Sequence, residues 1–300
     1  MDKKKSTQGH LAAFITIMIW GTTFIITKVL LESFSPIEIL FFRILIAYLV
    51  LLLIYPHILK IKSLKEELLF IFAGFCGVTL YFILQNTALT YTLASNVGIL
   101  LSVTPFFTGI FSYFLLKDEQ LQPSFFIGFV ISIIGIALIT YNGEIVLKLN
   151  PLGDILAILS AVAWAVYCIA IKKINAFPYH PIQITRRVFI YGLIFTLPVL
   201  NMFDFQFNLV RFTSIPNLIY MLFLAVGASA LCFITWNFAL DVLGVVKTSI
   251  YIYLNPVISI ILSAVFLHER ITWMAIAGLI LILAGLYYSE RRVKVKLDTQ

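Results

Sequence analysis

Charge is scarce in this chain. Asp, Glu, Lys and Arg make up 12% of its 300 residues, whereas hydrophobic residues make up 61%. A soluble domain carries about a quarter charged residues, so too little polar surface is present to cover a water-exposed globule. Acidic residues are the rarer sign, 14 against 21 Lys and Arg, for a net charge of +7. Cysteine is rarer still. Cys76, Cys168 and Cys232 are odd in number, show no metal-ligand spacing and each falls in an apolar run, so they read as free buried thiols. His10, His57, His180 and His268 lie apart at run boundaries, which leaves no metal set. A Walker-type glycine loop, H-E-x-x-H, G-x-S-x-G and paired intramembrane aspartates are all missing. Direct ATP use and intramembrane enzyme chemistry therefore lack their machinery, and no cofactor is called for. The excess of basic residues does not signal nucleic acid, because they sit in short clusters between apolar runs rather than in stripes with exposed aromatics.

What the chain has instead is long apolar runs. A helix needs about 20 predominantly apolar residues to cross a bilayer. Runs of that kind fall near 11–31, 36–55, 67–87, 94–116, 122–141, 152–172, 182–200, 215–236, 246–267 and 272–289. Period-2 alternation is missing, so helices rather than barrel strands are expected. The run behind Lys3, Lys4 and Lys5 is about twice a signal-peptide core and has no cleavage site after it, so it reads as a spanning helix. With ten spans the two termini share a side. Lys3 to Lys5, Lys60, Lys62, Lys65, Lys117, Lys172, Lys173 and the tail from Arg291 share that side, and chiefly Lys148, Arg211 and Arg270 lie opposite. The asymmetry predicts cytoplasmic termini in a multi-pass plasma-membrane protein.

The pattern occurs twice. Asn86, Leu89, Pro105, Glu119, Gly128 and Gly135 reappear as Asn237, Leu240, Pro256, Glu269, Gly278 and Gly285; earlier, Trp20, Lys28 and Pro36 are echoed by Trp164, Lys172 and Pro181. Residues 1–145 and 146–300 thus read as two five-helix copies. An odd number of crossings per copy inserts the second upside down relative to the first. The expected architecture is all-α, ten transmembrane helices in two inverted repeats around a central cavity.

In their order, Trp20-Gly21, Pro36, Arg43, Pro105, Asp118-Glu119, Gly128 and Gly135, followed by Trp164, Pro181, Asn237, Pro256, Glu269, Gly278 and Gly285, resemble the EamA-type family of the drug/metabolite transporter superfamily. The resemblance covers almost the whole chain and implies a ten-helix fold with a cavity between repeats and export or exchange of small metabolites. The second copy departs from the first in carrying Arg186-Arg187 where the first has Phe41-Phe42.

Helical spacing gathers polar and aromatic residues onto shared faces. These are Trp20, Thr23 and Thr27 against Trp164 and Tyr167; Val78, Tyr81 and Gln85 against Ser229, Cys232 and Trp236; and Asn96, Leu100 and Thr104 against Lys247, Tyr251 and Asn255. Trp20, Tyr81, Gln85, Asn96, Trp164, Tyr167, Trp236, Lys247, Tyr251 and Asn255 are the candidate substrate contacts. Interhelical bonding is the plainer role for any one of them. Pro105 and Pro256 are expected to kink the fourth and ninth spans, for packing or for gating. Arg43 and Glu38 are five apart and face different sides; Arg43 reads as an interhelical anchor or a snorkelling side chain. Glu119 and Glu269 read as caps or loop ion pairs.

Three functions remain in view. The first is a secondary transporter for a small metabolite (an amino acid, a nucleoside or a related compound) or a drug, working by alternating access. A flippase for a lipid or lipid-linked headgroup is the alternative, and an intramembrane enzyme is remote. No carboxylate lies deep in a span, which favours facilitated movement or exchange over proton coupling. Expected partners are the small-molecule substrate and the lipid bilayer, with no nucleic acid. A monomer is the default and a dimer stays open.

Overall fold

Proline and short polar side chains set where the helices begin. In the computed structural model, which describes residues 3–92, 94–116, 122–140, 150–200, 205–258 and 273–290, Pro36, Pro123, Pro151 and Pro181 each open a helix. There the missing proline N–H costs nothing. Ser35 and Glu38 exchange side-chain bonds with each other's backbone N–H, closing the start of the second helix. Asp118, Glu119, Lys148, His268, Glu269, Arg270 and the tail from Arg291 lie outside the described residues.

The helices are α1 (Lys3–Leu30), α2 (Pro36–Ile54), α3 (Leu64–Tyr91), α4 (Ala94–Leu101), α5 (Thr104–Leu115), α6 (Pro123–Thr140), α7 (Pro151–Ile174), α8 (Pro181–Leu200), α9 (Ile215–Leu243), α10 (Val245–Ile258) and α11 (Trp273–Glu290). Among the described residues there is no strand. Among the described residues six helices, α1, α2, α3, α7, α8 and α9, are long and apolar enough to cross a membrane. Large apolar side chains such as Leu53, Phe114 and Trp273 point outward, as a lipid-facing surface requires. The chain is an all-helical, polytopic membrane protein.

Two features differ from simple spanning rods. The run 94–116 is not one kinked helix but two, α4 and α5, parted by a turn at Ser102 and Val103. Pro105 sits in the first turn of α5 instead of bending a continuous helix. Its missing N–H would have bonded the Leu101 carbonyl, and the Thr104 hydroxyl donates to that carbonyl instead, at 2.5 Å. Along α10, residues Tyr251–Leu254 tighten into a 3-10 turn before Pro256, and Asn255 N–H takes the Ile252 carbonyl that the proline leaves. The expected kinks are thus helix interruptions. The second feature is a pair of π-helical stretches, Phe75–Leu80 inside α3 and Phe223–Leu231 inside α9. Wider turns leave carbonyls and hydroxyls for neighbours. Trp20 Nε1 donates to the Ala228 carbonyl at 2.9 Å, and Thr79 donates to the Gly192 carbonyl at 2.8 Å.

The main core joins α2, α3, α7, α8 and α9 through residues such as Leu40, Phe70, Val78, Tyr167, Phe189 and Phe233. Ala157 and Ala161 are fully buried and let α7 approach Ala88 of α3 and Val97 of α4. The three cysteines are buried and form no disulfide. Lysines bind the ends of neighbouring helices in matching ways. Lys28 donates to the carbonyls of Leu89 and Thr92, and Lys172 to those of Leu240 and Asp241. A cation there meets the negative end of the helix dipole.

The helices α6 and α11 meet backbone to backbone. A Cβ built on Gly128 would lie 2.5 Å from the Gly285 carbonyl, and one on Gly285 would lie 2.6 Å from the Gly128 carbonyl. Gly135 is placed against the Gly278 carbonyl in the same way, at 2.6 Å. Early residues of α6 face late residues of α11, so the pair is antiparallel and packs through small residues. Gly285→Ala should therefore separate the helices and cost about 1–3 kcal/mol, read as a lower melting temperature in detergent. Gly227→Ala is the control, since its Cβ would meet nothing nearer than 3.8 Å, and its melting temperature should not fall.

Candidate functional site

Both helix interruptions open onto one place. Leu101 and Thr104 flank the break between α4 and α5; Ile252 belongs to the tightened part of α10 and Asn255 directly follows it. These four line a cavity together with Trp20, Thr23 and Phe24 from α1, Arg43 from α2, Tyr81, Phe82 and Gln85 from α3, Trp164 from α7 and Phe233 from α9. Its free space is narrow, ≈ 30 Å³, at about 10–15 Å³ per water molecule room for two or so.

Aromatic rings build the walls. Trp20 meets Trp164 edge-on, with centroids 5.1 Å apart, and Tyr81 lies 4.8 Å from Trp164. The indole bond from Trp20 to Ala228 fixes the first of these rings against the π-helical stretch of α9. Such walls suit planar or apolar surfaces and cations.

Arg43 is the charged group of the site. Its side chain is fully buried, Nε donates to Ser229 Oγ at 2.6 Å, and Cζ stands 4.0 Å over the Phe82 ring. Nη1 has no hydrogen-bond partner among the described residues. The same holds for two acceptor atoms on the cavity wall, Gln85 Oε1 and Asn255 Oδ1. A buried polar atom without a partner costs about 1–3 kcal/mol, more when charged. The wall therefore offers one donor from a cation and two carbonyl acceptors to anything that enters.

Of the residues expected here from spacing, Trp20, Tyr81, Gln85, Trp164 and Asn255 line the cavity. The others lie elsewhere. Tyr167 is buried behind Trp164, donates to Asn237 Oδ1 at 2.9 Å and packs against Gly77. Trp236 is fully buried with its ring 5.1 Å from Trp20. Tyr251 bonds His10 Nδ1 through its hydroxyl at 2.7 Å. Lys247 is half-buried on α10, away from the cavity. The side chain of Asn96, on α4, lies outside the described part. Pro105 and Pro256 border the interruptions without lining the space.

Spacing missed Arg43 as a cavity residue. The available signal was depth: it stands seven residues into an apolar span, where a charge costs at least about 2.5–3.5 kcal/mol. Asp154, in the first turn of α7, keeps a buried Oδ1 without a partner among the described residues, while other charged groups are engaged. Glu38 pairs with Arg211 at 2.7 Å, Arg187 with Glu67 at 2.5 Å, and Arg186 donates to the carbonyls of Tyr55 and His57. Asn86 donates to the Pro36 carbonyl at 3.1 Å. No group of His, Cys, Asp and Glu among the described residues could hold a metal ion. Tyr167→Phe should leave Asn237 Oδ1 short of its buried donor and cost about 1 kcal/mol of stability, seen as a lowered melting temperature with the helix content unchanged.

Comparison with known proteins gives this site its context. The sequence profile of the EamA-like transporter family matches residues 7–141 and again 151–290. An uncharacterized transporter of Archaeoglobus fulgidus is 29% identical over 291 residues, covering 96% of this chain and 99% of that protein. The uncharacterized transporter YvbV of Bacillus subtilis is 28% identical over 296 residues, covering 97% and 94%. A solved crystal structure shares the fold with a TM-score of 0.76 at 18% identity, covering 95% of this chain and 96% of that one. With its apolar helices and a family profile matched over nearly its whole length, the chain is an integral membrane protein that belongs to the EamA-like transporter family.

Proposed function

We propose that this protein is a secondary transporter that moves a small metabolite across the plasma membrane by alternating access, outward or in exchange. The observation that carries this reading is the cavity itself. It draws its wall from both copies of the pattern and presents Arg43 Nη1, Gln85 Oε1 and Asn255 Oδ1 unpartnered between aromatic rings. A fitting substrate has an anionic or acceptor group for Arg43, a donor for the two amides, and a flat or apolar part for Trp20, Tyr81 and Trp164. Amino acids and related metabolites have that make-up.

In this reading the chain forms ten spans in two inverted five-helix repeats, 1–145 and 146–300, with cytoplasmic termini, and works as a monomer. Three observations support it: the antiparallel glycine contact of α6 with α11, the matched bonds of Lys28 and Lys172, and the two separate matches to the family profile. The cavity is too narrow for a metabolite, so the transport cycle must widen it. The interruptions at Pro105 and Pro256 are where helix halves tilt at low cost. Substrate gradients drive the movement, since Glu38 and Asp154 both stand in the first turn of their helices, neither lines the cavity, and Glu38 is held in an ion pair.

Comparative extracellular metabolomics of cells with and without overexpression identifies the substrate, and counterflow in proteoliposomes then measures it. Arg43→Gln should reduce flux about tenfold to a hundredfold, the worth of a charged hydrogen bond of about 1.5–3 kcal/mol, at unchanged membrane insertion. Trp164→Ala should also reduce it. Full flux in both variants would overturn the cavity as the pathway. Collapse of the pH gradient should leave wild-type flux unaltered, and a loss of flux would establish proton coupling instead.

A further inference from the structure

A second recess lies along the exposed Leu68, Phe72 and Phe75 of α3 and shares no lining residue with the cavity. Leu68, Phe72 and Phe75 of α3 and Phe195 of α8 form an open apolar groove of ≈ 820 Å³, with Lys65 and Lys173 at one end. The volume is that of a site for a ligand of appreciable size, about 300–1,000 Å³. We infer that this groove binds one anionic phospholipid, its acyl chain along the phenylalanines and its phosphate between Lys65 and Lys173.

Depth, charge and geometry point the same way. Lys65 stands one residue inside the start of α3 and Lys173 one residue before the end of α7, so both ammonium groups lie at one edge of the helix bundle. From Lys65 to Phe75 is ten residues, or about 15 Å at 1.5 Å per residue. That is half of the ~30 Å hydrocarbon core, the depth of a single leaflet. The acids beside Lys65 are already engaged: Glu66 accepts from the Tyr179 hydroxyl, and Glu67 pairs with Arg187. Lys172, next to Lys173, is spent on the end of α9. Lys65 and Lys173 are exposed and have no carboxylate partner among the described residues. Two cations without an ion-pair partner among the described residues, over an apolar trough of leaflet depth, match a lipid phosphate and its tail. The site is separate from the transport cavity. It shares with the transport reading only the assignment of this edge to the cytoplasmic leaflet.

The test is native mass spectrometry of the full chain, released from detergent micelles doped with phosphatidylglycerol or with phosphatidylcholine of the same chains. Wild type should retain one phosphatidylglycerol and discriminate against phosphatidylcholine. Lys65→Gln with Lys173→Gln should weaken retention about 25-fold, at roughly fivefold per lysine. Lys60→Gln with Lys62→Gln, which removes the same charge from exposed positions that do not line the groove, should leave retention unchanged. Equal retention of both lipids by wild type would overturn the inference. So would equal loss in the two double variants, which would reduce the effect to net charge. Displacement by millimolar inorganic phosphate would overturn the role of the acyl trough. A monodisperse elution profile for each variant keeps misfolding apart from loss of the site, and transport activity enters none of these readouts.

Discussion

In hydrocarbon, every backbone N–H and C=O must find a partner within the protein, and the layout of this molecule follows from how it meets that demand. A helix can be interrupted in the bilayer only where something else takes the freed groups. The Thr104 hydroxyl does so for Leu101, Asn255 N–H does so for Ile252, and the Trp20 indole uses the Ala228 carbonyl in a wide turn of α9. These substitutions sit around the cavity. The irregular backbone and the candidate site coincide because irregular backbone is tolerated where polar groups converge.

Charge follows a related rule with a different outcome at each depth. Near helix ends it is neutralised: Glu38 by Arg211, Glu67 by Arg187, and the carbonyl ends of α3 and α9 by Lys28 and Lys172. Deep inside α2, Arg43 meets Ser229 and the face of Phe82 among the described residues. A neutral hydroxyl and a ring quadrupole compensate a desolvated guanidinium partially. The remaining attraction is directed into the cavity, where it acts on whatever anionic or acceptor group arrives.

Much of this was legible from residue order. Prolines at helix starts carry a physical signal, and Pro36, Pro123, Pro151 and Pro181 fall where their chemistry places them. Face spacing brought Trp20, Tyr81, Gln85, Trp164 and Asn255 to one space because their helices are regular there or end there. It failed along α10 for a geometric reason. A 3-10 turn advances about 120° per residue instead of about 100°, so Lys247, Tyr251 and Asn255 do not share a face, and Tyr251 turns to His10. Trp164 and Tyr167 are one turn apart on α7, and only the position of Asn237 decides that the tyrosine serves the core. The π-helical stretches have no residue signature at all. Phe75–Leu80 reads as an ordinary apolar run.

The glycine contact between α6 and α11 carries a consequence for ancestry. Gly128 touches Gly285, and Gly135 touches Gly278; exchanging each glycine for its counterpart in the other copy turns the first contact into the second. The surface is therefore self-complementary, as at a two-fold dimer interface. A polypeptide holding only one copy would already possess both halves of that contact. Two such polypeptides could join through it if they entered the bilayer in opposite senses. Fusing the copies in one chain makes that pairing intramolecular, and it frees residues such as Arg43 on one side and Asn255 on the other to diverge without breaking the joint.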